Sequence, residues 1–407
     1  MIKKWPFPFF IFLVLICNSA CKKNPAAEPL PPPPPPPPAY NNPFGILVSA
    51  SNGTDTLKQH LLTPKDAASL ARDLGVAYAR VAVSNTTWGE TDTRQSFLDE
   101  YNAYTKGSPS IKVLLNVNWG KHATGAQAYP GATPDYKAFI KDLLDTLTSP
   151  GYVPPAVIVV ENEENNKQFH VLETQADQDN YIAMLKFDIE ECHKRNLKVT
   201  NGGLTNMGVV LVVRDYFLNV LHDTARATAF ADSTFPPKMQ RDVDNDFYTS
   251  KLVISRYFMN AYAPLNLDYI NIHWYEPIKL AFWYDADRAK YVDTAHITPG
   301  SLAEVLAFFR DPVTEGGKQL MANEVGQVTP ANELPMELTC ALQGLPYVIW
   351  YSGDRNVNQS IRPYLQYALH NTYTTGQFSF TIRSTGDIFR DNIANIIANP
   401  FTFCPPM

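Results

Sequence analysis

From Asn41 onward, short runs of β-branched and aliphatic residues alternate with longer stretches whose apolar positions return every three or four residues. That alternation predicts strands joined by crossover helices, the pattern of a parallel sheet. Strands are predicted at 44–48, 78–83, 111–116, 157–160, 197–200, 269–273, 320–323 and 347–350. Helices are predicted from Pro64 to about Leu74, with Thr63 as N-cap and Pro64 at the first helical position, and then over 94–106, 134–147, 175–195, 331–342 and 360–370. About seventy residues separate the fifth and sixth strands, far more than one crossover needs. The aromatic-rich part of that interval, 230–263, reads as a helical insertion. Eight units in about 330 residues predict an α/β fold, a TIM (β/α)8 barrel with an insertion between strands 5 and 6. A doubly wound open sheet would show fewer strands and a phosphate loop, and no G-x-G-x-x-G or G-x-x-x-x-G-K-[ST] follows any of these runs.

In such a barrel the strand C-termini converge on one mouth, where active sites are built. Two runs end there in carboxylates: Val157-Ile-Val-Val-Glu-Asn-Glu163, and Gln319-Leu-Met-Ala-Asn-Glu324-Val-Gly. The other strand-end residues are Arg80 with Asn85, Asn118-Trp119, Asn201, His273-Trp-Tyr275 and Trp350. Two carboxylates among amide, imidazole, phenol, indole and guanidinium groups make a sugar site. Hydroxyl-rich ligands need such hydrogen bonds, and glycoside cleavage needs an acid for the leaving oxygen and a second carboxylate across the ring. A third Asn-Glu pair, Asn332-Glu333, sits at a predicted helix start and carries no such expectation.

These motifs resemble the retaining glycoside hydrolases of clan A, over about residues 43–371. The resemblance implies that Glu163, after strand four and preceded by Asn162, is the acid/base, and that Asn162 binds the sugar 2-hydroxyl. It implies that Glu324, after strand seven and followed by Val-Gly, is the nucleophile. Arg80 matches the strand-two arginine near the nucleophile and Tyr275 the strand-six tyrosine that bonds it; His273 and Trp350 match frequent subsite positions. Asn118 and Trp119 complete the expected substrate-binding set. The chain departs from the clan in having Glu164 where Pro usually follows the acid/base, so that Glu161 and Glu164 compete for the role, although Glu161 precedes the Asn and Glu164 breaks the Asn-Glu register.

Lys3 and Lys4, the apolar run Trp5–Ile16 and the sequence Ser19-Ala20-Cys21 form a secretory signal that resembles a lipoprotein signal, with Asn18 where an aliphatic residue is usual. The expected division is a signal peptide over 1–20, a lipid-anchor Cys21 with a proline-rich linker over 21–42, and a catalytic barrel over 43–407. Pro31–Pro38 is a stiff polyproline spacer. The chain has 407 residues, and removing 1–20 takes its formal charge from −6 to −8. An acidic chain without basic runs excludes nucleic acid as an expected partner. The eight histidines are scattered, with neither H-E-x-x-H nor C-x-x-C, so neither metal nor cofactor is expected. Cys192, Cys340 and Cys404 remain beyond the anchor, and a Cys340–Cys404 bridge is not deducible.

The expectation is a monomeric, lipid-anchored glycosidase of the cell envelope that acts on a β-linked poly- or oligosaccharide by double displacement. It would sit at the outer membrane, facing the periplasm or the surface. The alternative is a non-catalytic surface glycan-binding lipoprotein on the same barrel.

Overall fold

The computed structural model describes residues 42–47, 63–120, 125–235, 237–276, 280–285, 290–295, 300–310, 318–327, 344–351 and 384–398. The chain divides into Met1–Ala39 and a body Tyr40–Met407. The signal peptide, Cys21, the proline run, helices 331–342 and 360–370, Cys340 and Cys404 lie outside the described residues.

Ten strands are described: β1 (Phe44–Leu47), β2 (Tyr78–Ser84), β3 (Lys112–Asn118), β4 (Val157–Val160), β5 (Val199–Asn201), β6 (Tyr269–Glu276), β7 (Leu280–Asp285), β8 (Lys290–Ala295), β9 (Gln319–Gln327) and β10 (Val348–Tyr351). Eight of them close a barrel of parallel strands in the order β1-β10-β9-β6-β5-β4-β3-β2. The predicted (β/α)8 barrel is therefore present. β7 and β8, which the hydrophobic pattern did not separate, pair antiparallel as a ribbon between β6 and the next helix.

The helices are α1 (Pro64–Asp73), α2 (Asn85–Gly89), α3 (Thr91–Thr105), α4 (Pro134–Leu147), α5 (Gln175–Lys194), α6 (Asn206–Asp215), α7 (Thr224–Thr234), α8 (Pro237–Asp242), α9 (Asp246–Tyr262), α10 (Gly300–Arg310) and α11 (Ser384–Ala398). Local chemistry sets several of the starts. Thr63 and Thr174 form capping boxes with Asp66 and Asp177 on α1 and α5, satisfying backbone N–H groups that the first turn leaves without partners. Between β5 and β6 the described residues carry α6, a π-helical turn at Tyr216–Val220, α7, α8 and α9. Among the described helices none is long and apolar enough to cross a membrane. Cys192, on α5, is a buried free thiol.

Strand parity builds two apolar layers. Leu114, Val157, Val159, Tyr269, Met321, Tyr347 and Ile349 fill the barrel interior. The alternate residues, among them Val113, Leu115, Ile158, Val160, Ile270, Trp274 and Val348, pack outward with the helices. Trp350 belongs to this second set. It is 1% exposed, its indole lies 5.2 Å from the Phe389 ring of α11, and it does not reach the mouth. Its expected role as a sugar platform is corrected: with Tyr347 and Ile349 facing inward, period-two alternation turns Trp350 to the outer layer. Tyr351 takes the inward place, its ring 6.4 Å from Tyr275.

Above the interior apolar layer the barrel is polar, and its buried amides bond strand to strand. Asn116 on β3 donates to the Glu161 carbonyl at 2.8 Å and accepts from Asn323 Nδ2 of β9 at 2.9 Å. Asn323 Oδ1 accepts from Asn271 Nδ2 of β6 at 2.7 Å. The Asn271 N–H donates to Asn201 Oδ1 of β5 at 2.7 Å, and Asn201 Nδ2 donates to Glu164 Oε1 at 2.7 Å. Tyr262 on α9 donates to the same Glu164 oxygen at 2.6 Å. The chain of bonds thus ends on a carboxyl that is wholly buried, and whose Oε2 has no hydrogen-bond partner among the described residues. Burial pushes the Glu164 carboxyl up to about 7, against the lowering effect of Tyr262, Asn201 and His273.

Two outcomes follow from this packing. In the unfolded chain Glu164 ionises near its usual 4.5, whereas the folded chain holds the proton to about 7. Between those values the native state binds more protons, so this group's contribution to stability is lost as pH rises through the interval. Glu164→Gln is expected to flatten that part of the pH dependence of urea unfolding; an unchanged slope would show that Glu164 titrates like an exposed carboxyl. Trp350→Ala should lower stability by about 3–5 kcal/mol through the cavity it leaves, as read by the denaturation midpoint. A variant as stable as the parent would return Trp350 to the mouth.

Candidate active site

The two carboxylates arrive by different backbone devices. On β9 the register against β6 shifts between Asn271 and His273, so two residues of β9 oppose one of β6. This bulge lets consecutive residues Asn323 and Glu324 both face inward, where strict alternation would have sent one out. At the end of β4 the turn is made by Glu161 with φ of 69° and Glu163 with φ of 48°. Both lie in the left-handed region, which is uncommon for residues with a side chain and concentrates at functional sites. Gly203, after β5, has φ of 112°, and a Cβ there would lie 2.3 Å from His273 Nε2. Only glycine lets that loop pass beneath the imidazole.

Glu324 accepts from Arg80 Nη1 at 2.5 Å and from the Tyr275 hydroxyl at 2.6 Å. The Arg80 guanidinium reaches Asn162 Oδ1 through Nη2, also at 2.5 Å, so one planar cation spans the ends of β4 and β9. This fixes the amide of Asn162, whose Nδ2 has no partner among the described residues. Burial pushes the Glu324 carboxyl up, but the His273 and Arg80 charges and the bonds from Tyr275 and Arg80 outweigh it and hold the group below the usual carboxylate range. The side chain is nearly enclosed and ionised.

Glu163 accepts from Asn166 Nδ2 at 2.5 Å and faces His273 Nδ1 at 3.1 Å. His273 is buried, with Nε2 2.9 Å from Asn323 Oδ1. Burial pulls its pKa down, yet Glu324 and Glu163 together, opposed by Arg80, leave it raised. The imidazole therefore sits between the two carboxyl groups, with Nε2 on Asn323 Oδ1 and Nδ1 on Glu163 Oε1. One ligand-type atom from each of Glu163, His273 and Glu324 lies within 4.8 Å of the other two, a spacing that a cation could also bridge. In the geometry present, the positive charge there comes from Arg80 and His273.

The remaining expected residues separate. Asn118 ends β3 at the mouth, and its Oδ1 has no hydrogen bond among the described residues. Trp119 follows it, but its ring packs against Tyr136 and Phe139 of α4, at 5.8 and 6.4 Å. Glu161 points away from the Glu163–Glu324 pair and accepts from the Trp119 N–H at 2.7 Å, and Glu164 is locked to β5 and α9 as described above. Of the three clustered glutamates, only Glu163 opens on the cleft. Sequence reasoning missed Asn116, Asn271 and Asn323 as the scaffold of the site, and Tyr351 beside Tyr275. An inward-parity asparagine on each of three strands, β3, β6 and β9, was the signal available.

A cleft of about 730 Å³ opens at Glu163. It passes Glu163, His273 and Tyr275, then the β4–α5 loop, Asn206 and the face of α9.

No family model matches the chain, and no curated protein matches it. Solved structures do match in fold. A virulence factor, SghA, solved with its substrate analog salicin, is 12% identical, with 86% of this chain and 95% of that chain covered at a TM-score of 0.51. A glucosidase from Croceicoccus marinus is 10% identical, covering 88% and 68%, at 0.49. A GH26 β-mannanase from Bacteroides ovatus is 10% identical, covering 90% and 93%, at 0.44. At these identities the likeness is one of fold, and it rests on SghA, which the closed parallel barrel of this chain matches over most of both chains.

Proposed function

We propose that the chain is a retaining glycoside hydrolase that cleaves a β-linked poly- or oligosaccharide at the cell envelope. The observation that carries the reading is the approach of the two carboxylates, with an oxygen of Glu163 and one of Glu324 within 4.8 Å across the mouth. Retaining enzymes hold their carboxyl groups about 5–5.5 Å apart, while inverting ones need roughly 6.5–9.5 Å to admit a water.

In the first step an ionised Glu324 oxygen attacks the anomeric carbon as the glycosidic C–O bond breaks. Glu163 gives its proton to the leaving oxygen. His273 Nδ1, 3.1 Å from Glu163 Oε1, is a group through which that carboxyl can exchange a proton. Arg80 and Tyr275 hold Glu324 ionised and oriented for attack, which reduces the barrier by fixing geometry beforehand. In the second step Glu163 takes a proton from water, the water oxygen attacks the anomeric carbon, and the ester to Glu324 breaks. One glycoside and one water become two sugars, and both glutamates return to their starting states.

Glu324→Gln is expected to lower kcat by a factor of at least 10⁴ on any hydrolysed glycan, because the nucleophile is gone. Glu163→Ala should keep cleaving aryl glycosides with good leaving groups and then accumulate the glycosyl ester, visible by intact-mass spectrometry. Full activity in Glu324→Gln would refute the assignment, and retained glycan binding without turnover in the parent would favour the non-catalytic reading. Location is a separate matter. Cys21→Ala should move the protein from the membrane fraction to the soluble one; membrane attachment equal to the parent's would remove the lipid anchor.

A further inference from the structure

The cleft runs to one side of the carboxylate pair. Its lining includes Glu163, His273 and Tyr275, while its far wall is a face of α9 made by Phe247, Lys251 and Ile254. These recur at spacings of four and three, so they stack on one side of the helix. An acid/base residue stands beside the leaving oxygen, so a cleft that opens on Glu163 and not on Glu324 receives the leaving part of the substrate.

Two features of that wall point to a ligand. Phe247 is 60% exposed although large and apolar, and among the described residues its ring pairs only with the edge of Tyr248, at 5.0 Å and 82°. It offers an uncovered aromatic face of the kind sugar rings pack on. Lys251 is half-buried, and its ammonium has neither hydrogen bond nor ion pair among the described residues. Burial pulls its pKa down while Glu163 raises it. A partly desolvated cation without a partner carries a cost that an anionic ligand would recover. The other lysine of the cleft, Lys167, is paired with Glu173 at 3.2 Å. Asp246 also lines the cleft but is exposed, in the first turn of α9.

We propose that this arm is the leaving-group subsite and that it selects a sugar bearing a carboxylate or a sulfate, paired with Lys251 and packed on Phe247. The proposal rests on Glu163 being the acid/base.

The test is binding, which does not require turnover. Trisaccharides in the gluco, galacto and manno series would be titrated into Glu324→Gln protein by calorimetry, with the reducing-end unit neutral, oxidised to the uronate, or 6-O-sulfated. In one series an anionic form should bind at least ten-fold tighter than the neutral one, and the stronger of the two tells carboxylate from sulfate. Lys251→Gln should collapse that ratio to near one and Lys251→Arg should keep most of it, while Phe247→Ala should weaken neutral and anionic forms alike. Equal affinities, no binding in any series, or a preference that survives Lys251→Gln would overturn the proposal. Hydrolysis by the parent protein is read separately. Lys251-dependent selectivity without turnover would leave an anion-selective sugar site but sink the hydrolase and with it the leaving-group role, and turnover without selectivity would overturn the selectivity and leave the hydrolase.

Discussion

Polar groups buried in the barrel mouth must satisfy one another, and that requirement orients the site. The Asn116 Nδ2 faces the Glu161 carbonyl, which can only accept. Asn116 Oδ1 is therefore an acceptor, so the Asn323 amide must donate to it and turn its own oxygen toward Asn271 and His273. Asn271 is fixed independently, because its Oδ1 accepts from the Asn323 backbone N–H. With an oxygen opposite, His273 Nε2 has to carry a proton, and its Nδ1 is the nitrogen left for Glu163. Reversing any one amide would leave buried donors facing donors, at about 1–3 kcal/mol each. The Nε2 proton of the imidazole that touches the proposed acid/base is thus fixed by a chain of amides that starts at the Glu161 carbonyl, just past the end of β4.

The backbone supplies what alternation alone cannot. A regular β9 would put Asn323 and Glu324 on opposite faces, and either the scaffold amide or the carboxylate would be lost to the outer layer. The bulge keeps both. At β4 the apolar run needs no irregularity until Val160, after which two positive-φ glutamates fold the chain back over the mouth. The unfavourable conformations are held by Asn116, which takes the Glu161 carbonyl, and by Glu164, which is anchored to Asn201 and Tyr262.

Most of the barrel was legible because a strand covered on both faces must be apolar on both, and such runs stand out against amphipathic helices. The same property hid the facing of each side chain. In Tyr347-Val-Ile-Trp350 every residue suits either layer, and only closure of the barrel decides that Trp350 meets Phe389 while Tyr351 turns inward. The meeting of Glu163, Glu324, Arg80, Tyr275 and His273 at one mouth was readable because all five stand on or just past predicted strands whose C-terminal ends converge. Trp119 was not, since an indole just past a strand end can turn to the mouth or to α4. The ribbon of β7 and β8 escaped notice because its residues lie in a region of mixed polarity with no turn dipeptide between the strands.

The two carboxylates differ chiefly in what holds them, and that difference separates the roles proposed for them. Glu324 takes a guanidinium on one oxygen and a phenol on the other, with the His273 imidazole 3.8 Å away. All three favour the charged form, and Arg80 cannot give up its proton to relieve it. Glu163 has one amide and one imidazole, and the imidazole is a group that can pass a proton across a 3.1 Å contact. A carboxylate locked in its ionised state suits attack on carbon. A carboxyl tied to an exchangeable proton suits donation and recovery. The scaffold that fixes His273 is shared by both, so the asymmetry lies in Arg80, which grips Glu324 and Asn162 and leaves Glu163 alone.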